Sequence, residues 1–397
     1  MEALFANGDH NQAFIDRKGH ELMMKLYTLP GLPTTFFSSV SSRSLSQSLQ
    51  TLSMHNSTVL LKSFIDSINQ LIKELDTLLP TWREGNVLVK SLESEPRVSS
   101  ILSTIHNFTG VLVMATALSE WSTESGIQAF NNLGSLQRVL LWDIGSEAAK
   151  TNTDVNLASS GAFSDVHPMD VVNPILPPPL PNTTEATSTT SPSAPKTNDI
   201  AAQLVSSIHN LSKALAKVIA GPSRRRDEKA FCKAAENAAN VIIGYLVWEA
   251  KQGGDLERAT YYTNAIGQIR SLLFDGMCYC MLIVNDLFLE RRGTTHTLFV
   301  LYFVHNGGVE QIFNSLNWLI KNYIARVSMK KEETEEKDLL LDRLDQALAG
   351  YGKFIKFATN NSFLMNSPVT HNMMTIQNLP GQRGTIYTST SHNNLYI

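Results

Sequence analysis

Three cysteines are the first residues to weigh for chemistry. Cys278 and Cys280 sit one residue apart in Met277-Cys278-Tyr279-Cys280, and Cys232 lies in Ala230-Phe231-Cys232-Lys233. A zinc knuckle uses Cys-x-x-Cys and a second pair of Cys or His. The spacing here is wrong for that, and no second pair follows nearby. Neighbours such as Phe274, Met277, Met281 and Leu282 point instead to buried thiols, and burial in apolar surroundings leaves a thiol inert. His305 stands before a glycine turn, but no Ser or Cys nucleophile with an orienting acid can be assigned to it. It reads as a surface or capping histidine. Arg224-Arg225-Arg226 reads as a solvated loop, the alternative being a contact for an acidic partner or for nuclear import. Lys330 to Asp338 mixes both signs and reads as a solvated helix start. No phosphate-binding glycine loop and no paired-carboxylate signature is present. No catalytic residue, metal ligand, cofactor or small-molecule substrate follows from these residues.

Bulk composition narrows the partners. The chain has 397 residues, a net charge of −3 and only 17% charged residues. Phosphate backbones are bound by many clustered Lys and Arg, so no nucleic acid is expected. Hydrophobic residues make up 43%, enough for a sizeable core. Three cysteines make no disulfide framework and suggest a reducing, cytoplasmic or nuclear compartment. The first residues lack a basic and an apolar signal region. No apolar run of about 18 residues exists, so no membrane span is expected. The glycosylation-type triplets at Asn56, Asn107, Asn182 and Asn210 are therefore expected to stay unmodified.

The elements that would carry any site read as helices. Leu22, Met23, Leu26 and Tyr27 lie on one face, and Pro30 stops that run. Ser44 to Met54 carries Leu45, Leu49 and Leu52. Leu60, Leu61, Phe64, Ile65, Ile68, Leu71, Ile72, Leu75 and Leu79 form a long stripe ending at Pro80. Pro96 can open a helix, continued by Val98, Ile101, Leu102, Ile105, Phe108 and Leu112. Later stripes are Ile200, Leu204, Ile208, Leu211, Leu215 and Val218, then Ala234 to Trp248 within about 227–250. Further on come Val309, Ile312, Phe313, Leu316 and Leu319, and finally Leu340 to Ile355. Ser271 to Val284 fits a strand or a buried helix, because short apolar runs do not distinguish them.

Between these helical stretches, residues 150–197 hold Pro174, Pro177, Pro178, Pro179, Pro181, Pro192 and Pro195 among many Ser, Thr and Asn. Such a composition cannot bury enough apolar area to offset an ordering cost of roughly 1–2 kcal/mol per residue. The expected map is N-terminal helices over 1–149, a disordered insertion over 150–197, C-terminal helices over 198–365 and a polar tail over 366–397. Phe5 to Lys18 reads as the tail of a helix and its connector with no capping element before it, which suggests a fragment of a longer chain.

A degenerate repeat runs through the helices. Phe14 precedes Gly19, Phe130 precedes Gly134, and Phe303 precedes Gly307-Gly308, each time with a polar connector and an amphipathic run after the glycine. Glycine there supplies a backbone conformation that a Cβ disfavours, letting two helices meet at a sharp angle. The copies are not evenly spaced.

The stretch Asn7-Gly8-Asp9-His10, Phe14, Lys18-Gly19, Leu29-Pro30-Gly31-Leu32-Pro33 and Ser44-Leu45-Ser46-Gln47-Ser48-Leu49 resembles an N-terminal, non-catalytic block of giant HECT-type ubiquitin ligases of the Huwe class. His305-Asn306-Gly307-Gly308-Val309-Glu310-Gln311-Ile312-Phe313 with Asn317-Trp318-Leu319, and Leu344-Asp345-Gln346-Ala347-Leu348 with Asn366-Ser367-Pro368, resemble it in the same order. The resemblance implies an all-α, armadillo-like α-solenoid of antiparallel helices with one long disordered insertion. It implies a scaffold that contacts other solenoid segments of the ligase and client proteins, while a distant HECT domain does the chemistry. Gly19, Leu29, Pro30, Leu32, Pro33, Gly134, Gly307, Gly308 and Trp318 carry the structural motif. None of Cys232, Cys278 and Cys280 matches the catalytic setting of that family. A stand-alone armadillo-type scaffold unrelated to ubiquitin is the alternative.

Overall fold

The computed structural model describes residues 5, 7–29, 32, 36, 39–113, 118–151, 197–220, 228–273, 302–329 and 338–358. Among them every regular element is helical. In chain order these are α1 (Gly8–Asp16), α2 (Gly19–Thr28), α3 (Val40–His55), α4 (Ser57–Leu78), α5 (Leu88–Ser94), α6 (Pro96–Leu112), α7 (Leu118–Trp121) and α8 (Glu124–Thr151). They continue with α9 (Thr197–Ala220), α10 (Glu228–Val247), α11 (Asp255–Leu273), α12 (Gly308–Met329) and α13 (Leu339–Ala358). A 3₁₀ turn over Trp82–Glu84 joins α4 to α5. Of the insertion expected over 150–197, Lys150 and Thr151 belong to α8 and Thr197 opens α9, while residues 152–196 lie outside the described residues, as does the polar tail expected over 366–397. So do Cys278, Cys280, Arg224, Arg225 and Arg226, and of Cys232 only the helical backbone is described.

Local chemistry sets the helix starts. The Asn7 side chain accepts from the backbone N–H of Asp9 at 2.9 Å and caps α1, where the sequence suggested only a helix tail. Ser39 does the same for α3 through Ser42 N–H at 3.2 Å. Pro96 occupies the first turn of α6, where its missing N–H costs nothing. α5 borrows its cap: the carboxylate of Asp143, on α8, accepts from the N–H groups of Asn86 at 2.5 Å and Val89 at 3.2 Å. The chain reaches that cap through Gly85 at φ 88° and Asn86 at φ 66°.

α8 is the hub, packing against α4, α9, α10 and α11. One apolar cluster therefore runs from Phe5 to Phe354 and includes helices from both sides of residues 152–196. The Gln137 amide of α8 donates to the carbonyl of Val205 on α9 at 3.1 Å and accepts from the Tyr245 hydroxyl of α10 at 2.5 Å. α6 is buried almost all round, and it manages this with hydroxyls. Thr104 bonds both its own turn at Ser100 O and the carbonyl of Tyr27 on α2, at 2.8 and 2.9 Å. Thr109 bonds Ser207 of α9 at 3.0 Å. Small polar side chains thus let several helices crowd α6, although the Ser100 hydroxyl and the Asn107 amide nitrogen stay buried without a hydrogen-bond partner.

Three expectations change. Leu22 and Leu26 are 64% and 48% exposed, and the buried face of α2 is His20, Met23, Met24 and Tyr27. A helix missing from the periodicity reading, α11, runs over Asp255–Leu273 and absorbs the first residues of the ambiguous 271–284 stretch. Its buried set includes Thr260, Asn264 and Gln268, so no clean apolar stripe marks it. On α12, Ile312 and Leu319 face the core, but Val309 and Phe313 are 41% and 60% exposed.

Candidate functional site

The glycine motif builds the same turn twice. At the first, Lys18 takes a left-handed conformation (φ 58°) and Gly19 is the first residue of α2. At the second, Gly307 takes it (φ 84°) and Gly308 opens α12. The backbone bonds correspond residue for residue. Lys18 N–H donates to Ile15 O at 2.8 Å, as Gly307 N–H does to Val304 O at 3.2 Å; Leu22 N–H donates to Lys18 O at 3.4 Å, as Gln311 N–H does to Gly307 O at 3.2 Å. In both turns the ring of the aromatic residue five positions before the glycine packs against it. A Cβ on Gly19 meets the Phe14 ring, with Cδ2 at 2.6 Å, and one on Gly308 meets the Phe303 ring, with Cδ2 at 2.6 Å. Met23 and Ile312, four residues past each glycine, enter the core.

This relocates the reason for the glycines. The left-handed backbone belongs to the residue before Gly19 and Gly308, while the two motif glycines make room for a ring. The third copy does not share the device. Gly134 lies inside α8, far from any turn, and its bare Cα admits the Cγ1 of Val241 on α10. It is a close-packing glycine, in keeping with the buried Ala234, Ala235 and Ala238 of α10. Because Lys18 carries a Cβ in a left-handed conformation, Lys18→Gly should stabilise the fold by about 1 kcal/mol. Its Glu21 partner, at 3.8 Å between exposed side chains, offers little to lose. Chemical denaturation of the two proteins checks this; a less stable variant would show that the Lys18 side chain matters more than its backbone.

The remaining motif residues sit at two places. Leu29 caps the C-terminal end of α2 and is 47% exposed; Leu32 donates its N–H to Leu29 O at 3.2 Å. Pro30 and Pro33 lie outside the described residues. Leu22, Leu26 and Leu29 therefore form a solvent-facing apolar stripe at spacings of four and three, leading into that exit. Trp318 is half-buried on α12 under the guanidinium of Arg258, 4.6 Å from its ring centre. It ends a row of rings that the sequence reading did not find: Trp142, Trp248, Tyr261, Tyr262 and Trp318, with successive centres 5.6–6.0 Å apart. Three helices and a connector supply these rings, so no local spacing betrays the row.

Titratable groups follow burial. Burial pushes the Asp143 carboxyl up to about 6 against the pull of its N–H donors, and pushes His209 down to about 3, with Lys213 adding to the effect. His20 and His106 are lowered chiefly by burial as well. Each is accounted for by packing or capping. His305 is exposed, in keeping with the surface reading. Among the described residues no three metal-capable side chains cluster, and no helix is long and apolar enough to cross a membrane.

No protein-family model and no curated protein matches this chain. The described residues offer two matched helix-to-helix turns and apolar stripes that face solvent.

Proposed function

We propose that the chain is a non-catalytic, protein-binding segment of a HECT-type ubiquitin ligase scaffold, folded as an armadillo-like solenoid of antiparallel helices. Supporting the solenoid is the repeated aromatic–glycine turn, which starts α2 and α12 in the same way. Supporting a binding role is the exposed Leu22, Leu26 and Leu29 stripe, which adjoins the Leu29–Pro33 exit that carries the ligase resemblance. Exposed apolar side chains in a row mark an interaction site more often than scattered ones do. The partners in this reading are other solenoid segments of the same ligase and client proteins.

Two measurements test it. Transcripts read through to their end should place a HECT reading frame in phase downstream of Ile397. Transcripts that all lack such a frame would leave a stand-alone scaffold and remove the ubiquitin reading. The purified chain, incubated with E1, a HECT-competent E2, ubiquitin and ATP, should form no reducible adduct on a non-reducing gel. An adduct lost on changing Cys232, Cys278 or Cys280 to Ser would make the chain an enzyme in its own right.

A further inference from the structure

The two matched turns differ in what covers the helix they start. Counting from the glycines, His20, Met24 and Tyr27 of α2 correspond to Val309, Phe313 and Leu316 of α12. On α2 that face is buried. Tyr27 packs edge-on against Phe36 and Phe108, with centres at 5.9 and 5.7 Å, and its hydroxyl donates to Ser42 O at 2.8 Å. On α12 the same face carries Val309 and Phe313, 41% and 60% exposed, and a half-buried Leu316. It continues through Ile320 (41% exposed), half-buried Tyr323 and Val327 (40% exposed). Intervals of four, three, four, three and four residues give the stripe the spacing of a coiled-coil seam, with Leu316 and Tyr323 also packing against the chain's own core.

We propose that this face of α12 pairs antiparallel with α12 of a second copy of the chain. The stripe complements itself about a two-fold axis through the middle of the helix. Val309 meets the partner's Val327, Phe313 the partner's Tyr323, and Leu316 the partner's Ile320, so each layer joins side chains of similar size. An isologous contact of this kind closes at two copies. Glu310 lies in the first turn and Arg326 in the last. Arg326 is already held by Asp338 of its own chain at 2.5 Å, so the direction rests on the helix dipoles, which antiparallel pairing opposes and parallel pairing sets like on like. The exposed members of the stripe have only 40–60% of their surface left to bury, so the interface is a small one, and small interfaces pair weakly. The inference does not depend on the ubiquitin-ligase reading.

Sedimentation equilibrium of the full chain from about 1 to about 100 µM should show a monomer–dimer equilibrium, as befits an interface of that size. Phe313→Glu and, separately, Ile324→Glu on the adjoining exposed flank should each weaken dimerisation at least about tenfold. Both side chains are about 60% exposed, so helicity and melting should stay as in the parent protein. Register is read by mixing Val309→Cys and Val327→Cys chains, which should link to each other faster than either links to itself. A monomer at every concentration overturns the proposal and assigns the face to another occupant. So does a dimer indifferent to Phe313→Glu, or preferential linking between two Val309→Cys chains.

Discussion

Gly308→Val should destabilise the protein by about 3 kcal/mol, more than any other single change at the two turns except its counterpart Gly19→Val. A Cβ at Gly308 stands 2.6 Å from two atoms of the Phe303 ring, and the ring is 3% exposed, with nowhere to retreat. Overpacking a core site costs typically 1–3 kcal/mol, and valine adds two methyls beyond the Cβ. Gly308→Ala should cost less, and combining it with Phe303→Leu should recover part of the loss, because the two residues share one space. Gly352, in α13, has no atom within 4 Å of its missing Cβ. Gly352→Ala should therefore leave stability unchanged or raise it by up to about 1 kcal/mol through helix propensity. Urea unfolding of the set distinguishes a space effect from a general intolerance of larger residues. Equal stability of Gly308→Val and the parent would mean that the Phe303 ring does not rest on the glycine.

The contrast between Gly308 and Gly134 shows what the sequence carries and what it does not. Both follow a phenylalanine by a few residues, yet only Phe14–Gly19 and Phe303–Gly308 keep an interval of five, the interval that folds a ring back over a helix start. Phe130–Gly134 is one residue shorter and runs straight through α8. Strong apolar stripes placed α4, α6 and α9 close to their observed bounds, because one face of each meets the core. α11 escaped, since a helix wrapped on several sides carries Thr260, Asn264 and Gln268 inward and loses its periodicity. The same limit hid which face of α2 and α12 is outward: spacing identifies an apolar stripe, but only the neighbours decide whether it is covered. The Asp143 cap and the row of rings ending at Trp318 join residues distant in sequence, so no window along the chain contains them.

Lowering the pH from 7 to 5 should weaken the fold, and His209 should be the largest single cause. It lies buried on α9 with Nε2 2.6 Å from the Ser271 hydroxyl at the end of α11. In the folded protein it holds to neutrality down to about 3, whereas unfolded histidine takes a proton near its ordinary 6.5. The unfolded chain thus binds more protons throughout that window, and stability falls as pH drops through it, by about 2 kcal/mol at pH 5. His20 and His106, also lowered, act in the same direction. Asp143 opposes them. Its folded pKa of about 6 lies above the ordinary 3.8, so protonation favours the fold and returns about 1 kcal/mol between pH 7 and 5. The histidine term is the larger, so the net slope is destabilising on the acid side. His209→Gln keeps a polar group facing Ser271 but cannot take the proton. Its loss of stability between pH 7 and 5 should be smaller than the parent's by about 2 kcal/mol, while Asp143→Asn should make the parent's loss steeper by about 1. Denaturant titrations at the two pH values measure both. Parallel pH profiles for His209→Gln and the parent would show that His209 takes up its proton without unfolding the helices around it.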